Sequence, residues 1–430
     1  MKKIGIMVLV LILGTMMLFT GCPRRQEAAD PNTLTVWCWD PAFNLFAMRI
    51  AAEIYTREHN PDFVLNIVEV GWDDIQTRLI TAFTANQTAD LPDIILVQDN
   101  AIQMNIQTFP NRFLPVNNRV DISQFAQYKL EVGYLNGRNY GVPFDNGASG
   151  FFVRSDIIER AGLQVSDFDN ITWERFFELG RQVRARTGLP LVSFDSGSPD
   201  LLMVMLHGAG SWFFDAQGRP FIRDNPAMRR ALELKIQGFR DEIIMDVSTW
   251  DAYIASFNTG AVAGTIQGAW IIGSITQAAD QAGLWRVVNT PRMSGIPGAT
   301  NYSNQGGSGW AVLANSRNPD LAMDFLNRTF AGSVELYDII LPSAGAIATW
   351  GPASRAPSYS APHPFFGGQR VFEDLVRFAA NVPQIRFGVF NYEARMAVGR
   401  HMADLIAGRM TVDAALDAAQ REVEFLIAAQ

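Results

Sequence analysis

Short apolar runs alternate with stretches of helical periodicity along the first hundred residues. Runs rich in β-branched and aromatic residues occupy positions 34–39, 64–70 and 93–97. Between them, apolar residues recur every three or four positions over 41–58 and 73–85. The last run is almost continuously apolar, as are the central strands of parallel sheets. This order of strand, helix, strand, helix and strand predicts a doubly wound α/β lobe.

The stretch from residue 140 to 163 leads out of this lobe. Pro143 forces the residue before it into an extended conformation, and Asp145 and Asn146 open a turn sequence. An apolar strand over 150–153 follows. We expect the chain to cross here from one body to another, over a polar surface where a ligand cleft would lie. The alternative is an ordinary loop between two strands of one domain.

The rest of the chain continues the α/β pattern and is broken twice by polar stretches rich in glycine, proline and serine. Helices are predicted over 172–184, 225–239, 371–381, 391–408 and 411–427, and strands over 189–194 and 261–267. The two breaks, 290–309 and 341–352, flank a strand that begins at Trp310 and a helix that follows Asn318. That inner piece is expected to return to the first lobe.

The chain length agrees with a division into two domains. At 430 residues the chain exceeds the roughly 250–300 residues at which a single core stops growing. We therefore predict two doubly wound α/β lobes joined by three hinge crossings. The N-terminal lobe comprises 33–143 and 311–343, and the C-terminal lobe comprises 144–310 and 344–430.

Polar residues follow two strands of the first lobe. Trp39 and Asp40 come after the first strand, and Gln98 and Asp99 after the third. In doubly wound sheets, ligands bind beyond the carboxyl ends of the strands, so these four are candidate ligand contacts. The alternatives are that Asp40 caps the following helix and that Asp99 serves a turn.

Several tryptophans stand beside glycine, serine or aspartate instead of in apolar stripes: Trp39, Trp212, Trp270, Trp310 and Trp350. Aromatic faces pack on the apolar C–H faces of sugars, while Asp and Asn bond to the hydroxyls. A cleft lined in this way suits a neutral polyhydroxylated ligand. The alternative is that each indole fills the space that its small neighbour leaves. The other tryptophans considered, Trp37, Trp173, Trp250 and Trp285, are interpreted as core or surface residues.

Charge and the N-terminus indicate a secreted protein. The net charge of −8 argues against a nucleic-acid partner. Lys2 and Lys3 precede an apolar run that ends at Cys22, which predicts a signal peptide over 1–21. We expect lipid attachment at Cys22, a tether over 22–32 and an extracytoplasmic location on the membrane. Cleavage and release without a lipid is the alternative.

Several kinds of active site have no signature in the sequence. There is no phosphate-binding glycine loop and no GxSxG elbow. The four histidines lack metal-ligand spacing, so no metal and no cofactor are expected. An acid pair for glycoside cleavage stays open, for example Asp40 with Asp99 or with Asp145.

The order of motifs resembles the extracellular solute-binding proteins of the sugar-binding family 1 type, which includes maltose-binding protein. The strongest segments are YGVPFD…FFVRSDIIERAGL, FNTGAVAGTIQGAW and GGSGWAVLANSRNPDLAMDFL. The resemblance implies the periplasmic binding protein type II fold, with ligand between the lobes, and it covers nearly the whole chain after the signal. It places the second crossing near 306–310 and the third near 341–350.

The same resemblance implies a set of ligand contacts, to which two tryptophans are added from their chemistry. The implied residues are Trp39, Asp40, Gln98, Asp99, Asp145, Asn146, Trp270, Gly307 and Tyr392, and the added ones are Trp212 and Trp350. Phe144 stands where the family often has tyrosine, which leaves the identity of the ligand open.

The resemblance implies a membrane-tethered, monomeric receptor that captures a sugar or oligosaccharide and feeds an ABC permease. On this reading the protein is not an enzyme. Two other functions are kept beside it: a secreted glycosidase or lyase, and a binding protein that serves a chemoreceptor.

Overall fold

The computed structural model describes residues 30–429. The predicted signal peptide and Cys22 lie outside this range, as does most of the predicted tether. The strands are β1 (Thr33–Cys38), β2 (Val64–Glu69), β3 (Ile94–Gln98), β4 (Tyr134–Leu135), β5 (Arg138–Asn139), β6 (Val142–Asp145), β7 (Ser149–Arg154), β8 (Val192–Phe194), β9 (Ile244–Asp246), β10 (Gly264–Gly268), β11 (Trp285–Val288) and β12 (Ser308–Val312).

Helices account for most of the remaining regular structure in the described chain. They are α1 (Asn44–Glu58), α2 (Trp72–Thr84), α3 (Ile102–Thr108), α4 (Gln127–Val132), α5 (Ser155–Arg160), α6 (Trp173–Thr187), α7 (Asp200–Gly208), α8 (Pro226–Arg240), α9 (Trp250–Asn258), α10 (Ile272–Ile275), α11 (Pro319–Arg328), α12 (Val334–Ala344), α13 (Val371–Ala379), α14 (Asn391–Gly399), α15 (Met402–Ile406) and α16 (Val412–Ala428). None of these described helices is long and apolar enough to cross a membrane.

The first lobe is built on a five-stranded sheet in the order β2-β1-β3-β12-β6. β1 pairs in parallel with both β2 and β3, whereas β12 runs antiparallel to β3 and β6. Helices cover both faces, so Ile94, Ile95 and Leu96 of β3 are fully buried. The alternating apolar pattern of the first hundred residues therefore produces the predicted arrangement, with β12 returning from much later in the chain.

The second lobe contains a three-stranded antiparallel sheet and a separate parallel pair. The sheet has the order β10-β7-β11, and β8 pairs with β9. In the larger core of this lobe, the buried Trp173, Phe176 and Phe151 pack against one another and the surrounding helices. A second cluster, around Phe152 and Trp285, also includes Leu341 and Ile347 from the end of α12 and the segment after it.

Three segments lie side by side between the lobes: 145–149, 303–308 and 345–350. The backbone N–H of Asn146 donates to the Ile347 carbonyl at 2.9 Å. The N–H of Gln305 donates to the Gly147 carbonyl at 2.8 Å. We call these three segments the hinge. The first two link strands of different sheets, β6 to β7 and β11 to β12.

The third hinge segment differs from the prediction. The predicted break at Leu341 does not occur, because α12 continues through Pro342 to Ala344 and ends at Gly345 in a left-handed conformation. Ile347 packs in the second-lobe cluster, Trp350 packs again in the first-lobe core, and the chain returns to the second-lobe core at Phe366.

Two other helix predictions need correction. The stretch 391–408, predicted as one helix, forms α14 and α15 with a break after Gly399. The short helix α4 was not predicted at all. Its six residues are too few to show a helical repeat of apolar positions.

Candidate functional site

The carboxyl edge of the first-lobe sheet meets the second lobe at the turn after each parallel strand. After β1, the Ala42 carbonyl packs against Gly273 of the second lobe. A Cβ atom on residue 273 would lie 2.7 Å from the Ala42 carbonyl oxygen. After β2, the hydroxyl of Tyr392 donates to Asp73 Oδ1 at 3.0 Å. These contacts place the carboxyl ends of the strands against the cleft, as expected for a doubly wound sheet.

The turn after β3 makes the third of these contacts through an asparagine. Asn391 Nδ2 donates to the Asn100 carbonyl at 2.9 Å, across the cleft. The Oδ1 atom of Asn391 accepts from Trp212 Nε1 at 2.6 Å. Trp212 is buried and packs on His207 and Phe387. Trp212 therefore lies behind the cleft surface and fixes the orientation of Asn391.

Asp40 lies at the start of the cleft wall but is engaged by the backbone. Its Oδ1 accepts the N–H groups of Ala42 at 2.9 Å and Phe43 at 3.1 Å. The carboxylate is buried, and burial raises its pKa. The geometry thus supports the helix-entry role that the sequence left open as an alternative.

Trp39 forms an aromatic pair with Trp72, which was not among the predicted ligand contacts. The rings of Trp39 and Trp72 meet edge to face with centroids 5.3 Å apart. Both indoles are half-buried. Trp72 follows β2 as Trp39 follows β1, so its position after a strand was the available signal.

Asp99 is paired with a buried lysine. Lys129 is 4 % exposed, and its Nζ donates to Asp99 Oδ2. Burial raises the pKa of Asp99, and the ammonium of Lys129 opposes that shift. The N–H of Asp99 also donates to the Gly307 carbonyl at 2.9 Å. Gln98, at the end of β3, pairs with Ser308 of β12.

Gly307 is required by this arrangement. Its φ of 92° belongs to the left-handed region that favours glycine. A Cβ at this position would lie 2.5 Å from Asp99 Oδ2 and 3.2 Å from Lys129 Nζ. Gly307 therefore makes room for the ion pair, and this is a structural reason for the glycine.

Asp145 and Asn146 lie in the first hinge segment. Asp145 is 1 % exposed and accepts from Ser308 Oγ at 2.6 Å. Burial raises the pKa of Asp145 to about 6, although Lys129 and Ser308 act in the opposite direction. Asn146 Oδ1 accepts from the Ala148 N–H at 2.8 Å, and its Nδ2 bonds to Tyr128. Both side chains therefore use their hydrogen bonds within the hinge and with Tyr128.

Trp270 contacts both lobes. It packs against the core clusters on the two sides of the cleft, and its Nε1 donates to the Gln305 carbonyl at 2.9 Å. The ring of Trp250 lies 5.8 Å from it, tilted by 36°, and is 45 % exposed. Trp250 was interpreted as a core or surface residue, and its exposure agrees with a surface position beside Trp270.

Two of the predicted tryptophans fill the core of the first lobe instead of lining the cleft. Trp350 is 6 % exposed and stacks on Tyr337 at 6.1 Å. Trp310 is fully buried between Phe144 and Phe330. Glycine beside each indole reflects tight packing, which is the alternative that the sequence analysis left open.

Seven buried polar atoms in segments that border the cleft have no protein partner among the described residues: Asn44 Nδ2, Trp72 Nε1, Gln267 Oε1, Gln305 Oε1, Thr349 Oγ1, Glu393 Oε2 and Arg395 Nε. They come from both lobes, and five of the seven belong to uncharged side chains. Buried polar atoms are nearly always hydrogen-bonded in native proteins. The uncharged members of this set can donate to and accept from the hydroxyl groups of a ligand.

The candidate ligand site that emerges differs from the predicted set. Trp39, Trp270 and Tyr392 border the cleft, while Asp145, Asn146 and Gly307 belong to the hinge beside it. Asp99 lies after β3 and bonds to the hinge through its N–H and through Lys129. Within residues 30–429 no group of three or more His, Cys, Asp or Glu side chains could hold a metal ion.

Comparisons with known proteins agree with this architecture. The family described as bacterial extracellular solute-binding protein matches residues 51–337. The lactose-binding protein of Rhizobium radiobacter is 37 % identical over 383 residues, which are 89 % of this chain and 90 % of the relative.

Two solved structures resemble the fold closely at low sequence identity. The GacH receptor of Streptomyces glaucescens, studied unliganded and with acarbose, superposes with a TM-score of 0.79 at 17 % identity, covering 92 % of this chain and 98 % of the receptor. An ABC transporter associated binding protein from B. animalis subsp. lactis, in complex with β-1,6-galactobiose, gives 0.78 at 20 % identity, covering 91 % and 96 %.

These matches confirm the predicted fold class and the resemblance on which the function was based. The family matched is one of binding proteins, and its description places them outside the cytoplasm. The chain belongs to the bacterial extracellular solute-binding proteins.

Proposed function

We propose that this protein captures a neutral sugar or short oligosaccharide between its lobes and delivers it to the permease of an ABC transporter. The observation that carries the proposal is the pair of Trp250 and Trp270. An exposed indole face gives a sugar ring an apolar platform. The unpartnered oxygens of Gln267 and Gln305 belong to neighbouring segments and would accept from hydroxyl groups.

The relatives suggest which sugars to test first. The Rhizobium relative is a lactose-binding protein, and the protein from B. animalis was solved with a galactose disaccharide. Disaccharides that contain galactose are therefore the first candidates for this chain.

Closure of the lobes is the proposed means of signalling. A ligand that contacts both lobes only when they are closed shifts the population toward the closed form. The contacts from Tyr392 to Asp73 and from Asn391 to Asn100 would then form on closure. The permease would recognise the closed arrangement.

The carboxylates of the enzymatic alternative already have structural partners. Asp40 holds two backbone N–H groups, Asp99 pairs with Lys129, and Asp145 accepts from Ser308. This occupation favours binding without turnover over glycoside cleavage, which needs a free acid and a free base or nucleophile.

A titration separates these functions. Purified protein is titrated by calorimetry with lactose, β-1,6-galactobiose, maltose and a monosaccharide panel, and each mixture is later analysed for products. We expect saturable heat with at least one disaccharide and recovery of that sugar intact. Silence toward the whole panel, or hydrolysis of a sugar, would contradict the proposal.

We also propose that the protein is a monomer held at the membrane by a lipid on Cys22. The apolar run that ends at Thr20-Gly21-Cys22 supports the lipid. In a Triton X-114 extract the unaltered protein is expected in the detergent phase and Cys22→Ala in the aqueous phase. Light scattering of the Cys22→Ala protein should give the mass of one chain.

A further inference from the structure

One short segment contacts all three segments of the hinge. It comprises residues 124–129, at the start of α4 and just before it, and we call it the hinge-binding segment. Its backbone meets the third hinge segment and the residue after it. The Ala126 N–H donates to the Thr349 carbonyl at 2.9 Å, and the Gly351 N–H donates to the Gln124 carbonyl, also at 2.9 Å.

The side chains of the same segment reach the other two hinge segments. Tyr128 bonds through its hydroxyl to the amide of Asn146 in the first one. Lys129 Nζ donates to the Asp145 carbonyl at 2.8 Å. It also lies 3.5 Å from the Ser308 carbonyl in the second one.

The ammonium of Lys129 is saturated by these partners. It has three N–H donors, and three oxygens surround it: Asp99 Oδ2 and the carbonyls of Asp145 and Ser308. The side chain is 2 % exposed. A buried charge persists only where it is paired and hydrogen-bonded, so this lysine has a fixed position.

A second buried lysine provides a comparison within the same chain. Lys235 in α8 is fully buried, and its Nζ donates to the carbonyls of Asp195, Ser196 and Ser198. These partners all belong to the second lobe. The two lysines therefore have similar burial and similar donor use, but only Lys129 touches the hinge.

We propose that the hinge-binding segment sets the resting angle between the lobes, with Lys129 and Tyr128 as positioning residues for ligand binding. Both residues act through Asp99, Asp145 and Asn146. The effect on affinity rests on the proposed function, whereas the effect on the lobe arrangement of the ligand-free protein does not.

The direction of the effect follows from the bonds that are lost. Without Lys129, the first and second hinge segments keep the direct bonds from Gln305 to Gly147 and from Ser308 to Asp145. They lose the ammonium that joins both of them to Asp99, so the hinge is held less firmly against the first lobe. The ligand-free lobes would then sample a wider range of separations. Ligand would have to select the closed arrangement from that wider range, which lowers the apparent affinity.

Pulsed electron spin resonance on the ligand-free protein tests the proposal. Spin labels are placed at Glu53→Cys in α1 and Gln237→Cys in α8, both exposed, with Cys22→Ala in the background. Cys38 is fully buried and is not expected to react. We expect Lys129→Met to broaden or shift the distribution of distances between the labels, and Lys235→Met to leave it unchanged.

A milder variant guards against failure to fold. Tyr128 is 42 % exposed, so Tyr128→Phe should fold and should change the distribution in the same direction, to a smaller extent. Unaltered distributions in Tyr128→Phe and in any folded Lys129→Met would overturn the proposal, as would an equal change in Lys235→Met.

If a sugar is identified, the dissociation constant should rise about tenfold or more in Lys129→Met and less than about threefold in Lys235→Met.

Discussion

At the scale of single residues, burial decides which predicted side chains can meet a ligand. The polar and aromatic residues after β1 and β3 lie at the carboxyl edge of the first-lobe sheet, and their role in ligand binding stays a prediction. The sequence could not show that Asp99 forms an ion pair with a buried lysine. Lys129 is 30 positions away, and its helix is too short for its apolar positions to reveal it. The rarity of lysine was the one signal in the sequence that pointed to Lys129, since lysine occurs only at positions 2, 3, 129 and 235.

The tryptophan pair gives the first residue-scale prediction. Trp270→Ala and Trp250→Ala each remove an aromatic platform from the cleft, and each is expected to weaken sugar binding by about 2 kcal/mol, or roughly thirtyfold. Trp350→Phe, in the first-lobe core, should lower the melting temperature and leave the dissociation constant within about threefold. Calorimetry and thermal melts measure the two quantities. Equal losses of affinity in all three variants would contradict the assignment.

Asp145 gives a prediction about pH. Its pKa is raised to about 6 in the folded protein, above the roughly 3.9 of an unfolded chain. Between these values the folded state holds more protons, so the contribution of Asp145 to stability decreases as pH rises from about 4 to 6.

Asp145→Asn removes that contribution. The free energy of unfolding of the variant minus that of the parent should rise by on the order of 2 kcal/mol between about pH 4 and pH 7. Urea unfolding at a series of pH values measures it. A difference that stays constant with pH would show that folding does not raise the pKa of Asp145.

At the scale of elements, the sequence predicted the strands of the first lobe well. Regular alternation between strand and helix carried that prediction. The errors fall where local signals conflict with tertiary packing. Pro342 suggested a break, yet it lies in the last turn of α12: it removes only its own N–H donor, and the helix ends two residues later. The pairing of Trp250 with Trp270 is not an error of this kind: it could not be predicted, because only the fold brings α9 to Trp270.

The contact between α14 and α2 gives an element-scale prediction. Tyr392→Phe and Asp73→Asn each weaken or remove one hydrogen bond across the cleft, worth about 0.5–1.5 kcal/mol. We expect each change to raise the dissociation constant by about twofold to tenfold, mainly through faster release of the sugar.

A double-mutant cycle tests whether this hydrogen bond is the cause. If it is, the double variant should lose no more affinity than either single variant. Stopped-flow tryptophan fluorescence measures the release rates. Fully additive losses would mean that the two side chains act independently, for example through separate contacts with the sugar.

At the scale of the whole molecule, composition and motif order indicated two lobes with a cleft, and the structure has both. The sequence also indicated that the strand after Gly307 returns to the first lobe, and β12 does so between β3 and β6. The chemistry of the cleft was harder to predict. It depends on pairs such as Trp250 with Trp270 and Asn391 with Asn100, whose members are far apart in the sequence and meet only in the folded chain.

A crystal structure with the sugar that gives the strongest calorimetric response would show where the ligand binds. We expect electron density for that sugar between the lobes, packed on Trp250 or Trp270 and bonded to at least one of Asn44, Gln267 and Gln305. Density outside the cleft, or a bound sugar that touches neither tryptophan, would contradict this expectation.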